Sequence, residues 1–151
     1  METLIEIPQL KELQRVIINP NILRKDNANL SVQKMELDPF ITKIDFIIRA
    51  PHYYANGGWI QMDANCFIRP CGGDSRLSLL KAVNIPIAPQ KHFFKRCGEL
   101  LQYTLYFPGL PEGTQSIDII ERDAPNGTWF NFYGVSVNKI RTEALYVDNT
   151  K

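Results

Sequence analysis

Two histidines, three cysteines and a small acidic cluster are the residues best equipped for chemistry in this chain. His52 precedes Tyr53-Tyr54 in a glycine-rich loop, and His92 precedes Phe93-Phe94. Either imidazole could activate the Cys97 thiol as a nucleophile, or pair with an acid. Neither lies in a catalytic signature, and a histidine beside aromatics reads as loop packing. Cys66 and Cys71 are five positions apart, unlike the C-x-x-C pairs of metal and redox sites. An odd cysteine count leaves at least one thiol free, so all three read as structural or incidental. Two histidines without H-E-x-x-H or Cys/His spacing complete no usual zinc site. Asp118, Glu121 and Asp123 lack the spacing of a calcium loop and read as a solvated strand end. Gly72-Gly73 does not fit G-x-G-x-x-G, so no phosphate loop is indicated. The expectation is no enzyme, no metal and no cofactor.

Aromatic residues offer a different chemistry. Tyr53, Tyr54, Trp59, Trp129 and Tyr133 could stack against a sugar or a partner protein. Trp59 opens a strand and reads as core, whereas Tyr53 and Tyr54 sit in a loop with no alternation to bury them. Asn29-Leu30-Ser31 and Asn126-Gly127-Thr128 match the glycosylation pattern and mark exposed turns.

The elements that must position these residues are almost all strands. Val16 to Ile18 is a short β-branched run stopped by Asn19-Pro20-Asn21, and Asp26 to Asn29 is a polar turn. Val32 to Leu37 reads as a strand that Asp38-Pro39 ends, because proline has no donor for a ladder. Thr42 to Arg49 alternates, with Ile44, Phe46 and Ile48 on one face. Trp59 to Ile68 places Ile60, Met62, Ala64, Cys66 and Ile68 together, the half-buried signature of an antiparallel sheet. Gly72-Gly73 lies in a hairpin-type turn, and Arg76 to Leu80 is a short strand. Ile85 to Pro89 is extended, and His92 to Gly98 is irregular. Leu101 to Phe107 alternates again. Ser116 to Glu121 and Trp129 to Val137 are the last two strands. Pro8 to Leu13 could make a helical turn.

These patterns predict an all-β fold, an immunoglobulin-like antiparallel sandwich of seven to eight strands. Residues 1–29 form an N-terminal segment with a short first strand, 30–140 the sandwich core, and 141–151 a loose tail. A chain of 151 residues suits one core. Lys plus Arg number 17 against 16 Asp plus Glu, which gives no electrostatic footprint for nucleic acid or an anionic membrane. No apolar run is long enough to span a bilayer. The N-terminus does not read as a signal peptide. The chain is therefore expected in the cytoplasm if Met1 is the native start, or in the cell envelope if a leader has been removed.

Phe107-Pro108-Gly109-Leu110-Pro111-Glu112-Gly113-Thr114 leads into Ser116 to Glu121, and later into Phe130-Asn131-Phe132-Tyr133-Gly134-Val135. This string resembles the Ig-like sandwich domain that precedes a thioredoxin-fold domain in some bacterial cell-envelope thiol-disulfide proteins. Trp59 to Met62, Asn84 to Ile87, and Leu37-Asp38-Pro39 with Thr42 to Phe46 resemble further strands of that domain. The resemblance covers roughly residues 30 to 137. It implies the fold and a non-catalytic accessory role; without a C-x-x-C, the redox activity does not carry over.

Five positions read as structural. Leu110-Pro111 turns the chain between facing strands, and Asp118 and Glu121 either pin a neighbouring loop or face water. At Gly134 the apolar parity shifts: Phe130 and Phe132 point one way, Val135 and Val137 the other. One extra residue at Tyr133-Gly134, a β-bulge, would return both pairs to the core. The functional expectation is a binding or assembly module with a protein or cell-envelope polymer as partner. The alternative is a carbohydrate-binding domain using Tyr53, Tyr54 or Trp59. Oligomeric state is not legible.

Overall fold

The structure, a computed structural model, describes residues 15–124 and 127–138. Among them the strands are β1 (Arg15–Ile18), β2 (Ile22–Lys25), β3 (Leu30–Leu37), β4 (Ile41–Arg49), β5 (Trp59–Ile60) and β6 (Phe67–Pro70). There follow β7 (Leu77–Ser78), β8 (Lys81–Val83), β9 (His92–Phe93), β10 (Leu100–Pro108), β11 (Ser116–Ile120) and β12 (Phe132–Ser136). A single 3-10 turn, Ala55–Gly57, is the one helical element among the described residues.

Ten strands make two five-stranded sheets, ordered β1-β3-β4-β10-β8 and β2-β12-β11-β6-β7, and every pairing within them is antiparallel. β5 and β9 pair separately. Alternation decides what each sheet buries. On β4, Thr42, Ile44, Phe46 and Ile48 are buried, and β10 answers with Tyr103, Leu105 and Phe107. The outer face carries Lys34, Glu36, Lys43 and Asp45 in a solvated ion-pair ladder. The second sheet contributes Ile68, Ile117, Ile119, Phe132 and Val135 to the same core. Phe46 and Phe132 bridge the two layers with ring centroids 5.8 Å apart.

Two ladders carry an extra residue. Opposite Ile117 and Ile119 stand Val135 and Phe132, so β12 takes three steps where β11 takes two. The surplus lies at Tyr133-Gly134, where Gly134 has φ +65°. Phe132, Val135 and Val137 are consequently all buried, and Phe130, partly buried, packs against the core. β3 does the same at Gln33: Val32 faces Phe46 while Lys34 faces Asp45. That shift puts Val32, Met35 and Leu37 in the core despite their mixed parity.

The structure corrects the predicted elements in several places. Twelve strands replace the seven or eight expected, because short pairings of two to four residues escape pattern reading. Trp59 to Ile68 is not one strand. The Asp63 carboxylate accepts the Asn65 N–H, the Cys66 N–H bonds back to the Asp63 carbonyl, and this turn exposes Ala64. Arg76 to Leu80 shortens to β7, and β8, in the other sheet, begins just beyond it. His92 and Phe93, expected to be irregular, pair with β5, and the last strand starts at Phe132 rather than Trp129. β2 was not anticipated; with β1 it supplies an edge strand from the segment before Leu30. The expected helical turn at 8–13 and the tail 141–151 lie outside the described residues.

Candidate functional site

At one end of the sandwich the chain leaves β4 at Arg49 and returns to β5 at Trp59. The β2–β3 turn and the loop before β12 meet the same end. Between these segments lies a cleft of about 410 Å³. Its wall includes Asn27, Asn29, Ile48, Tyr53, Tyr54, Trp59, Gln61, Glu121, Trp129 and Phe130.

Backbone bonds fix the loops. Arg49 donates its N–H to the Asn29 carbonyl, Ala50 and Gly98 each bond across the β4–β10 exit, and Gly57 closes a turn onto Tyr54. Asn27 Nδ2 donates to the Thr128 carbonyl at 3.4 Å, joining the β2–β3 turn to the loop before β12. Tyr53, Tyr54 and Trp59, the three residues singled out for binding, thus reach one cleft. Tyr53 and Tyr54 are 69% and 58% exposed, as a loop position suggests. Trp59 is 46% exposed, which corrects its reading as core. The reason is parity: Ile60 and Met62 hold the inner face, so Trp59 must take the outer one.

The rings do not form a flat platform. Tyr53 and Tyr54 meet edge to face, with centroids 4.7 Å apart and planes at 61°. Lys91 Nζ stands 4.3 Å from the Trp59 ring centroid, and the Arg122 guanidinium 4.8 Å from that of Trp129. Both indoles therefore already carry a cation of the protein on one side.

Glu121 holds two walls of the cleft together. It is buried, which corrects its reading as part of a solvated strand end. Oε2 accepts the Asp63 N–H at 3.2 Å and Oε1 the Phe130 N–H at 3.0 Å. Burial pushes its carboxyl up, against the pull of those two N–H groups. Asp123 stays exposed and pairs with Arg76. Asn131, which sequence reasoning missed, completes the support. Its Oδ1 accepts the Glu121 and Arg122 N–H groups, and its Nδ2 donates to the Arg122 carbonyl. The available signal was a polar residue set between Phe130 and Phe132 at a chain reversal. Gln61 was likewise not singled out. Its Oε1 is buried without a hydrogen-bond partner among the described residues, as is Trp129 Nε1.

The other predicted residues lie elsewhere. Asp118 sits mid-strand on β11 and accepts from Arg69 Nε, Cys71 Sγ and the Gly134 N–H. Leu110 and Pro111 lie where the chain crosses from β10 in one sheet to β11 in the other, and the Pro111 carbonyl accepts from Thr114. All three cysteines are free thiols, and Cys97 Sγ donates to the Tyr54 carbonyl at 3.4 Å. The His92 ring packs edge-on against Phe94, away from the lining of the cleft. Among the described residues no group of three or more His, Cys, Asp or Glu is placed to hold a metal. No described helix is long and apolar enough to cross a membrane.

Comparison of the chain with protein-family models, with curated proteins and with solved structures returned no match.

Proposed function

We propose that the chain is a non-catalytic, immunoglobulin-like binding module whose ligand site is the cleft at the β4–β5 end of the sandwich. The observation that carries this reading is the convergence of Tyr53, Tyr54 and Trp59, all exposed, on a cleft also walled by Trp129 and Phe130. Exposed aromatics gathered at one place mark interaction sites far more than scattered ones do. About 410 Å³ falls within the roughly 300–1,000 Å³ typical of ligand sites. The immunoglobulin-like assignment is supported by two antiparallel sheets on one core and by the resemblance of residues 30 to 137.

The arrangement favours holding over reacting. Both Glu121 oxygens accept backbone N–H groups, which suits a structural carboxylate better than a general base. The Cys97 thiol is turned to a carbonyl rather than to an imidazole. The partner, a protein or cell-envelope polymer, would insert one group into the cleft.

The test is capture from native-cell extract by the immobilised chain and by a Tyr53→Ala/Tyr54→Ala/Trp59→Ala variant. These side chains are exposed, so the variant is expected to fold, which circular dichroism checks. Loss of the captured species with the variant is the expected result. Equal capture by both chains would place the binding surface elsewhere.

A further inference from the structure

We infer that the cleft takes an uncharged saccharide, one sugar unit entering between the aromatic side chains. The inference rests on the reading of the cleft as the binding site and adds the chemistry of its occupant.

Charge narrows the choice first. Among the described residues, the lining contains one acid, Glu121, and no Lys, Arg or His. An anionic ligand would meet the Glu121 carboxylate, while the nearest cations, Lys91 and Arg122, are already engaged on the Trp59 and Trp129 rings. A cationic ligand would suit bare aromatic faces, but Lys91 and Arg122 already lie on Trp59 and Trp129. Placing another cation beside them adds like-charge repulsion. A neutral ligand avoids both costs.

Hydrogen bonding narrows it further. Gln61 Oε1 and Trp129 Nε1 are buried and unpaired among the described residues, and both side chains line the cleft. The first needs a donor and the second an acceptor. Leaving such groups unpaired is costly, so a purely apolar occupant wastes them. Once the Gln61 amide and the Trp129 indole turn toward the cleft, a sugar hydroxyl can donate to one and accept from the other, and an acetamido group offers both functions. Gly127 packs against the indole edge and leaves no room for a side chain there: a Cβ would stand 2.7 Å from Nε1.

Shape supplies the last restriction. A pyranose presents an apolar C–H face to aromatic rings and hydroxyls at its rim. Tyr53 and Tyr54, at 61°, cannot lie flat on the surface of a packed polysaccharide, but they can flank a single chain. A peptide also carries amide donors and acceptors; it is the competing outcome of the test.

The experiment follows the two indole N–H resonances of the full chain, assigned with Trp59→Phe and Trp129→Phe. Four ligands are titrated: glucose tetramer, N-acetylglucosamine tetramer, galacturonate tetramer as the anion and glucosamine tetramer as the cation. Saturable movement of the Trp129 resonance by at least one neutral tetramer is expected, with the charged tetramers at least tenfold weaker. Trp129→Phe keeps an aromatic ring without the N–H and should weaken that binding several-fold. Gln61→Leu, of similar size, should do the same. Comparable or tighter binding of a charged tetramer would overturn the uncharged assignment. Silence of both neutral sugars at high millimolar concentration, with a response to aromatic tripeptides, would overturn the saccharide and leave the cleft standing. Silence to sugars and peptides alike would overturn the saccharide, and the cleft itself would then stand or fall on equal or unequal capture by the triple-alanine variant.

Discussion

Asp118 holds open the bulge that faces it: its Oδ1 accepts the backbone N–H of Gly134, across the ladder, at 3.0 Å. The same carboxylate takes Arg69 Nε at 3.1 Å and the Cys71 thiol at 3.3 Å. A bulge strips a backbone N–H of its ladder partner, and a half-buried carboxylate supplies the replacement. The acid and the glycine therefore act as one device, and it delivers Phe132 and Val135 to the core.

Gly134 should tolerate little. Its φ of +65° is left-handed, which costs an ordinary side chain roughly 1–2 kcal/mol. A Cβ would also stand 2.5 Å from Leu23 Cδ1 and 3.0 Å from Leu23 Cβ. Leu23 is largely exposed, but its Cγ at 2.7 Å and its Cβ must give way as well as the tip, so Gly134→Ala is expected to lose at least about 1–2 kcal/mol. Gly134→Val, β-branched, should lose a few kcal/mol more. Urea unfolding measures both; a neutral Val variant would contradict the bulge.

Asp118 should make the fold acid-sensitive. Burial opposes its charge, but the Gly134 N–H, Arg69 and Cys71 together hold its carboxyl below the usual value. A depressed carboxyl contributes stability that is present above the unfolded value of about 3.9 and lost as pH falls through the folded value. Asp118→Asn keeps an acceptor for Gly134 and loses the charge. It should be less stable at neutral pH by on the order of 1–3 kcal/mol and should show a flatter acid limb. An acid limb as steep as that of the wild type would exclude this role.

Glu121 should act with the opposite sign. Its folded value is raised, chiefly by burial, so its contribution is fully present below the unfolded value of about 4.3 and lost as pH rises through the folded value. Glu121→Gln should remove that decline. A glutamine offers one acceptor where two N–H groups arrive, so either Asp63 or Phe130 must lose its partner. Faster amide exchange at one of those two residues is the expected signature; unchanged exchange at both would show that the carboxylate does not tie the walls.

The thiols should respond by burial. Cys71 is exposed, Cys97 half-buried and Cys66 buried, with burial driving the Cys66 thiol far above its ordinary value. Alkylation is expected first at Cys71, then at Cys97, and at Cys66 only on unfolding. Mild reductant should leave stability unchanged, since all three are free. Replacing all three with alanine should preserve the fold. Cys66→Ser should cost more than Cys66→Ala, because a hydroxyl there needs a partner. Rapid labelling of native Cys66 would contradict its place in the core.

The sequence by itself determined the strands that alternate over a long run. Thr42 to Arg49 and Leu101 to Phe107 were legible because each residue's face follows from parity alone. Parity also located the bulge at Tyr133-Gly134, where Phe132 and Val135 could not share a face without an extra residue. The same signal lay unread at Gln33, between Val32 and Met35, where no glycine drew attention to it. The tertiary structure decided the rest. Two-residue strands such as β5 and β9 have too few side chains to carry a period, and only their pairing defines them. Glu121 and Asn131 look solvated in sequence because charge and polarity usually are. Their burial is tolerated because backbone N–H groups meet them: Asp63, from a distant loop, and Phe130 on Glu121, and Glu121 and Arg122 on Asn131. Tyr53, Tyr54 and Trp59 could be named as aromatics from the sequence. Their meeting with Gln61 and Trp129 in one cleft depends on contacts between segments about 70 residues apart in the numbering, which no local pattern encodes.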